Sequence, residues 1–222
     1  MKTVLCNGDS LGMPRDNVKF ESTWFYKLSN KLSKDHFYFV NNFKRANTTN
    51  SLYSRDSLEN YSPKIVIVQL GIVDCAPRLY NSNSMLIKIV NRLPFILKNI
   101  FWKFSKLVKQ RSIKNADVNI YCFEENLNNF LTRCQNIDVE KCILIKIGIP
   151  GSMMIKKNPE IIRAINLYND VYDKVENIFH FVKVVNPLVD GHDDLYVDDG
   201  YHLNEKGFTR VHESLIAEFE QC

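Results

Sequence analysis

Short apolar runs alternate with stretches of helical period along almost the whole chain. Residues 3–6, 37–40, 64–70, 142–147 and 181–185 are short, rich in Val, Ile and Phe, and bounded by turn residues, which predicts strands. Helical spacing covers 23–34, 84–109, 124–134, 159–175 and 204–219. Asn158-Pro159-Glu160 offers a cap followed by proline at the first turn, and Asn204-Glu205 opens the last helix. Five strands alternating with helices imply a parallel sheet covered on both faces, an α/β three-layer sandwich. Functional groups in such sheets collect at the carboxyl ends of the strands, beside the point where strand order reverses.

Composition narrows the class. At 222 residues, 45% of them hydrophobic, the chain suits one domain spanning 1–222 and burying roughly 70% of its unfolded surface. No linker, repeat or low-complexity tract divides it, and 8 Gly and 7 Pro exclude a collagen-like chain. No run reaches the ~18 apolar residues of a membrane span. Lys2 is followed at once by a strand-like run and a glycine turn, which is not the pattern of a secretory signal. Cys6, Cys75, Cys122, Cys134, Cys142 and Cys222 form no CxxC pair and lie mostly in apolar stretches. They predict free thiols in a reducing cytoplasm, not a disulfide frame or zinc site.

The net charge of +4 hides an asymmetry. Nine basic residues and no acidic one lie between Cys75 and Ala116, which leaves 20 basic against 25 acidic elsewhere. The protein carries a basic patch on an acidic body.

Two motifs hold candidate chemistry. The first strand runs into Asn7-Gly8-Asp9-Ser10-Leu11, where a serine can stand at the sheet's edge with its N–H free to help hold an oxyanion. Asp199-Gly200-Tyr201-His202 precedes the last helix. There an aspartate can hold one ring nitrogen of a histidine while the other faces a nucleophile. Each alone is an ordinary turn or cap sequence.

Together, GDSL after strand one and DxxH about twenty residues from the C-terminus resemble the SGNH (GDSL-type) hydrolase superfamily, over nearly the whole chain. The resemblance implies a flavodoxin-like five-stranded sheet of order 2-1-3-4-5. It also implies hydrolysis or transfer of acyl groups without metal or cofactor. Ser10 would be the nucleophile, His202 the general base and Asp199 the residue orienting it. The family's second block, a glycine whose N–H completes the oxyanion hole, falls on 41–49, with Ala46 in the glycine's place and Asn47 beside it. Alanine keeps the N–H, at modest cost unless the backbone there requires positive φ.

The third block usually reads Gly-x-Asn-Asp. Here Gly71-Ile72-Val73-Asp74 keeps Gly71 and Asp74 but sets Val73 where the asparagine donor would stand. Loss of one oxyanion donor typically costs about 10²–10³ in rate. Arg78, Asn42 or Asn47 could replace it, and Asp74 could donate only if protonated. The wording GIVDCAPR resembles a subgroup associated with bacterial surface-polysaccharide biosynthesis, which implies an acylated sugar or glycan intermediate as substrate.

The acidic run from Asp190 to Asp194 fits no EF-hand spacing and reads as a solvated loop, with His192 able to line the cleft. His36, His180 and His212 read as structural. From 84 to 114 the chain is basic and rich in large apolar residues. Ile96, Ile100, Phe104, Leu107 and Val108 fall at helical spacing, and Pro94 starts or kinks the helix. Two readings follow: a core helix with a solvated basic face, or contact of 85–114 with an anionic membrane surface, peripheral to the inner face. No motif for nucleic acid accompanies the patch. Three functions are consistent with the sequence: a serine esterase acting on a carbohydrate, an acyltransferase to a sugar hydroxyl, or a catalytically weak glycan-binding scaffold.

Overall fold

In the computed structural model, which describes residues 2–15, 18–54 and 57–220, five parallel strands form one sheet. β1 (Lys2–Gly8) lies between β2 (Phe37–Phe43) and β3 (Ile65–Gln69), and β4 (Lys141–Ile145) and β5 (Val182–Val185) follow outward from β3. The order is 2-1-3-4-5, as the resemblance implied. The pleat sorts each strand's side chains by alternation. Val4, Cys6, Ile65, Ile67, Ile143 and Ile145 enter one core, while Leu5, Val66, Val68, Cys142 and Leu144 enter the other.

Two helices close each face. α1 (Trp24–Leu32) and the C-terminal helix (Glu205–Glu220) cover the first core through Trp24, Leu28, Phe208, Val211 and Leu215. The opposite face is covered by two long helices, Ile120–Asn136 and Ile161–Ile178, which contribute Phe123, Leu127, Tyr168 and Tyr172. In chain order the remaining helices are α2 (Leu58–Tyr61), α3 (Ile72–Cys75), α4 (Met85–Asn91) and α5 (Phe95–Val108). The long helices are then α6 and α8, flanking α7 (Ser152–Lys157), and the last is α9.

Differences from the sequence reading have local causes. The single helix expected over 84–109 is two, because Pro94 has no N–H to continue the ladder and takes an extended ψ of 148° before α5. α6 starts four residues early, where the Asn119 side chain accepts the Cys122 N–H. α8 starts at Ile161, not Pro159, and the Asn158 amide instead donates to the Pro77 carbonyl. α2, α3 and α7 are too short to show a period. Cys6, Cys75, Cys122, Cys134 and Cys142 are free thiols, and Cys222 lies outside the described residues. Burial pushes the thiols of Cys6, Cys75 and Cys142 well above their ordinary value, so these three stay protonated.

Asn204 ties the last helix to the loop before it. Its Oδ1 accepts the N–H groups of Lys206 and Gly207, and its Nδ2 donates to the carbonyls of Asp194 and Tyr196. Asn204→Ala should therefore cost about 1–2 kcal/mol, the upper range for a cap. In urea titration the midpoint falls with the slope unchanged; an unmoved midpoint would show that the cap contributes nothing.

Candidate active site

The connection after β1 descends to one face of the sheet, and that after β3 to the other, so a crevice opens between their carboxyl ends. Ser10 stands there. Asp9, extended at φ −107°, caps a single 3-10 turn over Ser10–Gly12, its Oδ1 accepting the Leu11 N–H at 2.8 Å. The Asp9 N–H donates to the Gln69 carbonyl at 3.2 Å, and the Gln69 side chain accepts the Trp24 indole N–H at 2.7 Å. Gly8 and Gly12 lie against the Phe43 ring, where a Cβ would come within 2.8 and 2.6 Å of ring carbons. Glycine lets the turn sit that low. The Ser10 N–H donates to no acceptor among the described residues.

His202 is delivered by the loop before α9. Gly200, at φ +78°, lets the chain fold back so that Asp199 Oδ1 accepts the N–H groups of Tyr201 and His202 at 3.0 and 2.9 Å. Asp199 Oδ2 meets His202 Nδ1 at 2.5 Å, and His202 Nε2 meets Ser10 Oγ at 3.1 Å. Ser10 and His202 are buried, whereas the Asp199 side chain is 42% exposed. Burial alone would raise the Asp199 carboxyl, but hydrogen bonds from the His202 ring and the two N–H groups outweigh it and hold the acid below its ordinary value. With Asp199 ionised, the favoured tautomer carries its proton on Nδ1. Nε2 is then free to accept from the serine.

The remaining named residues are placed as follows. Ala46 is exposed at φ +53°, the left-handed region in which alanine is strained, and its N–H donates to no described acceptor. Asn47 Nδ2 donates to the Gly8 carbonyl at 3.0 Å and Asn42 Nδ2 to Asn7 Oδ1 at 2.7 Å. Arg78 pairs with Asp117 at 2.6 Å and donates to the Val73 carbonyl. Val73 is half-buried against the α6–α8 core. Gly71, at φ +114°, is buried with Ile147 within 2.7 Å of where a Cβ would be. The three side chains considered as replacement donors are thus each committed elsewhere.

Two acids are buried beneath the serine turn. Asp74 Oδ1 accepts the Thr49 N–H at 2.8 Å and hydroxyl at 2.6 Å, which fixes the segment after Ala46; Asn126 donates to the same hydroxyl. The second oxygens of Asp9 and Asp74 are buried without a described partner. Burial pushes Asp9 up to about 7, against the Leu11 hydrogen bond and with the Asp74 charge adding to it. Burial likewise pushes Asp74 up to about 6, against the bonds from Thr49. Sequence reasoning placed Asp74 at the oxyanion and did not single out Asp9 or Thr49. The place of Asp9, directly after the continuously buried run of β1, could have indicated its burial.

Leu11 and Tyr201, adjacent to Ser10 and His202, line a slot of about 10 Å³ with Ile72, Pro150, Leu188 and Tyr196. The acidic loop divides its carboxylates among separate partners. Asp190 pairs with Arg210, Asp194 with Lys206, and Asp193 accepts the Ser152 N–H and hydroxyl. No group of three metal-ligating side chains occurs among the described residues.

Solved structures share this architecture along most of their length. A lipase/acylhydrolase from Enterococcus faecalis is 14% identical at a TM-score of 0.66, with 100% of this chain and 96% of that one covered. An acetyl-xylooligosaccharide esterase from Geobacillus stearothermophilus is 15% identical at 0.65, covering 98% and 93%. A GDSL-like lipase from Bacteroides thetaiotaomicron is 13% identical at 0.61, covering 99% and 88%. The fold is that of the GDSL-type hydrolases. No family model and no curated protein matches the sequence.

In this GDSL-type fold the two buried acids set a pH dependence. Their folded pKa values lie above the ordinary value of 3.8, so the folded chain keeps protons that the unfolded chain has released. The stability this contributes is complete below about pH 4 and is lost as pH rises through about 6 to 7. Asp9→Asn, which keeps an oxygen for Leu11 but cannot ionise, should flatten the decline in melting temperature between about pH 5 and 8. Parallel curves for the two proteins would contradict this.

Proposed function

We propose that the protein is a serine esterase that removes an acetyl group from a carbohydrate or glycan intermediate, with Ser10 as nucleophile, His202 as general base and Asp199 as its orienting acid. The observation that carries the reading is the unbroken hydrogen-bonded series from Ser10 Oγ through both ring nitrogens of His202 to Asp199, at 3.1 and 2.5 Å. Ser10 Oγ attacks the ester carbonyl while His202 Nε2 takes its proton. The imidazolium then returns that proton to the departing sugar oxygen, leaving an acetyl-serine. Water, deprotonated by the same nitrogen, releases acetate and restores the serine. Developing negative charge on the carbonyl oxygen rests on the N–H groups of Ser10 and Ala46, neither of which donates to a described acceptor. With valine in the third donor's usual place, turnover falls about 10²–10³ below that of a three-donor site.

The narrow apolar slot beside Leu11 and Tyr201 leaves no room for a long acyl chain, which supports a small acyl group. The acetyl-xylooligosaccharide esterase of the same fold and the GIVDCAPR wording support a sugar as the alcohol. Catalysis in this scheme uses no metal or cofactor.

Ser10→Ala should reduce turnover of a small acetyl ester by at least about 10³-fold and change stability by no more than about 1 kcal/mol. A fluorophosphonate probe should label the native chain and not the variant. Absence of labelling in folded protein would favour the non-catalytic scaffold. Acetate release that gives way to acetylated sugar when an acceptor is added would favour transfer over hydrolysis.

A further inference from the structure

The helical stripe that would be core in an ordinary amphipathic helix faces solvent here. Ile96, Ile100, Phe104, Leu107 and Val108 are all exposed, Leu107 to 83%, while α5 turns Phe101, Trp102 and Ser105 inward onto Tyr80. α4 buries only Ile87 and Val90 and exposes Met85, Leu86 and Ile89. Residues 85–108 thus hold ten of the 19 large apolar side chains exposed among the described residues. Soluble surfaces seldom concentrate apolar groups so heavily without a partner.

Charge selects the partner. The segment between Cys75 and Ala116 has nine cations and no anion, and only Arg78 among them forms an ion pair with a described residue. Lys88, Arg92, Lys103 and Lys106 are exposed around the apolar face. Beneath α5, a cleft of about 690 Å³ gathers Lys106, Lys109, Arg111 and Lys157. A second copy docked through the same patch would set cation against cation. A bilayer supplies both things the patch lacks, an apolar interior and phosphate at its surface. α5 is 14 residues long, and no described helix is long and apolar enough to cross a membrane, so the hairpin lies in the interface and does not span.

Position links the patch to the crevice. The hairpin is inserted between α3 and α6, at the carboxyl edge that carries Ser10 and His202, and its root is closed by the bridge between Arg78 and Ser112. We propose that the α4–α5 hairpin docks the protein on an anionic phospholipid bilayer, with the Ser10 edge turned toward the membrane. The inference does not rest on the esterase reading, because docking needs neither Ser10 nor His202.

Vesicle co-sedimentation tests it. The full chain should sediment with phosphatidylcholine vesicles containing phosphatidylglycerol, bind pure phosphatidylcholine vesicles much more weakly, and be released by salt. Phe95→Asp with Phe104→Asp should abolish binding. Lys103→Gln with Lys106→Gln should weaken it about 25-fold, at about fivefold for each cation removed. All four positions are exposed, so circular dichroism and turnover of a soluble ester should match the unaltered chain. Failure to sediment with the anionic vesicles overturns the proposal, as does equal binding by the Phe95→Asp/Phe104→Asp protein. A concentration-dependent dimer that dissociates with that double substitution, in protein that ignores vesicles, would assign the patch to a second copy instead.

Discussion

Two fully buried carboxyl groups, just beyond the ends of neighbouring strands, set the terms for the whole upper edge of the sheet. Asp9 is what bends the chain after β1 and lifts Ser10 into the crevice, through its bond to the Leu11 N–H. Asp74 is what holds Thr49, and through it the segment carrying Ala46. Each acid has one oxygen engaged and one with no partner among the described residues. Burying such groups is costly as anions and far less so as neutral acids, which is why both hold protons well above the ordinary range. Asp199 has the opposite environment: half-exposed and surrounded by donors, it is kept ionised. One site therefore pushes its aspartates in opposite directions, up below the serine and down behind the histidine.

Charge is also partitioned at the scale of the whole molecule. The body pairs its ions locally, as in Arg133 with Glu59 and Lys146 with Asp173. The hairpin pairs none of its cations with a described acid and exposes apolar side chains between them. Its tie to the body runs through a few aromatic contacts around Tyr80 and the bonds at the Arg78–Ser112 root. A segment so lightly held adds little to the two cores, so its sequence is free to serve something outside them.

The layers were legible because both faces of the sheet are covered, which makes the strands near-continuous apolar runs, and because α1, α6, α8 and α9 are long enough to show their period. The serine and histidine were legible because GDSL and DxxH each form a turn local in sequence. What the sequence concealed depends on contacts between distant residues. Asn47 reads as a plausible donor until the Gly8 carbonyl takes its amide, and Arg78 until Asp117 does. Asp74 reads as part of the oxyanion block, and its bonds to Thr49 come only with the fold. The hairpin misleads for a different reason: periodicity reports that one face of a helix is apolar but says nothing about what that face meets.

The two tryptophans divide between these parts of the molecule. Trp24 is fully buried in the core and bonded to Gln69, whereas Trp102 is half-buried against Tyr80 in the hairpin. The chain thus carries two intrinsic fluorophores with separate duties. Emission from Trp24 follows the integrity of the sheet, and emission from Trp102 responds to whatever changes the polarity around α5. With Trp24 alone, a Trp102→Phe protein would be optically blind to the hairpin, so the difference between the two spectra isolates that one element without an added label.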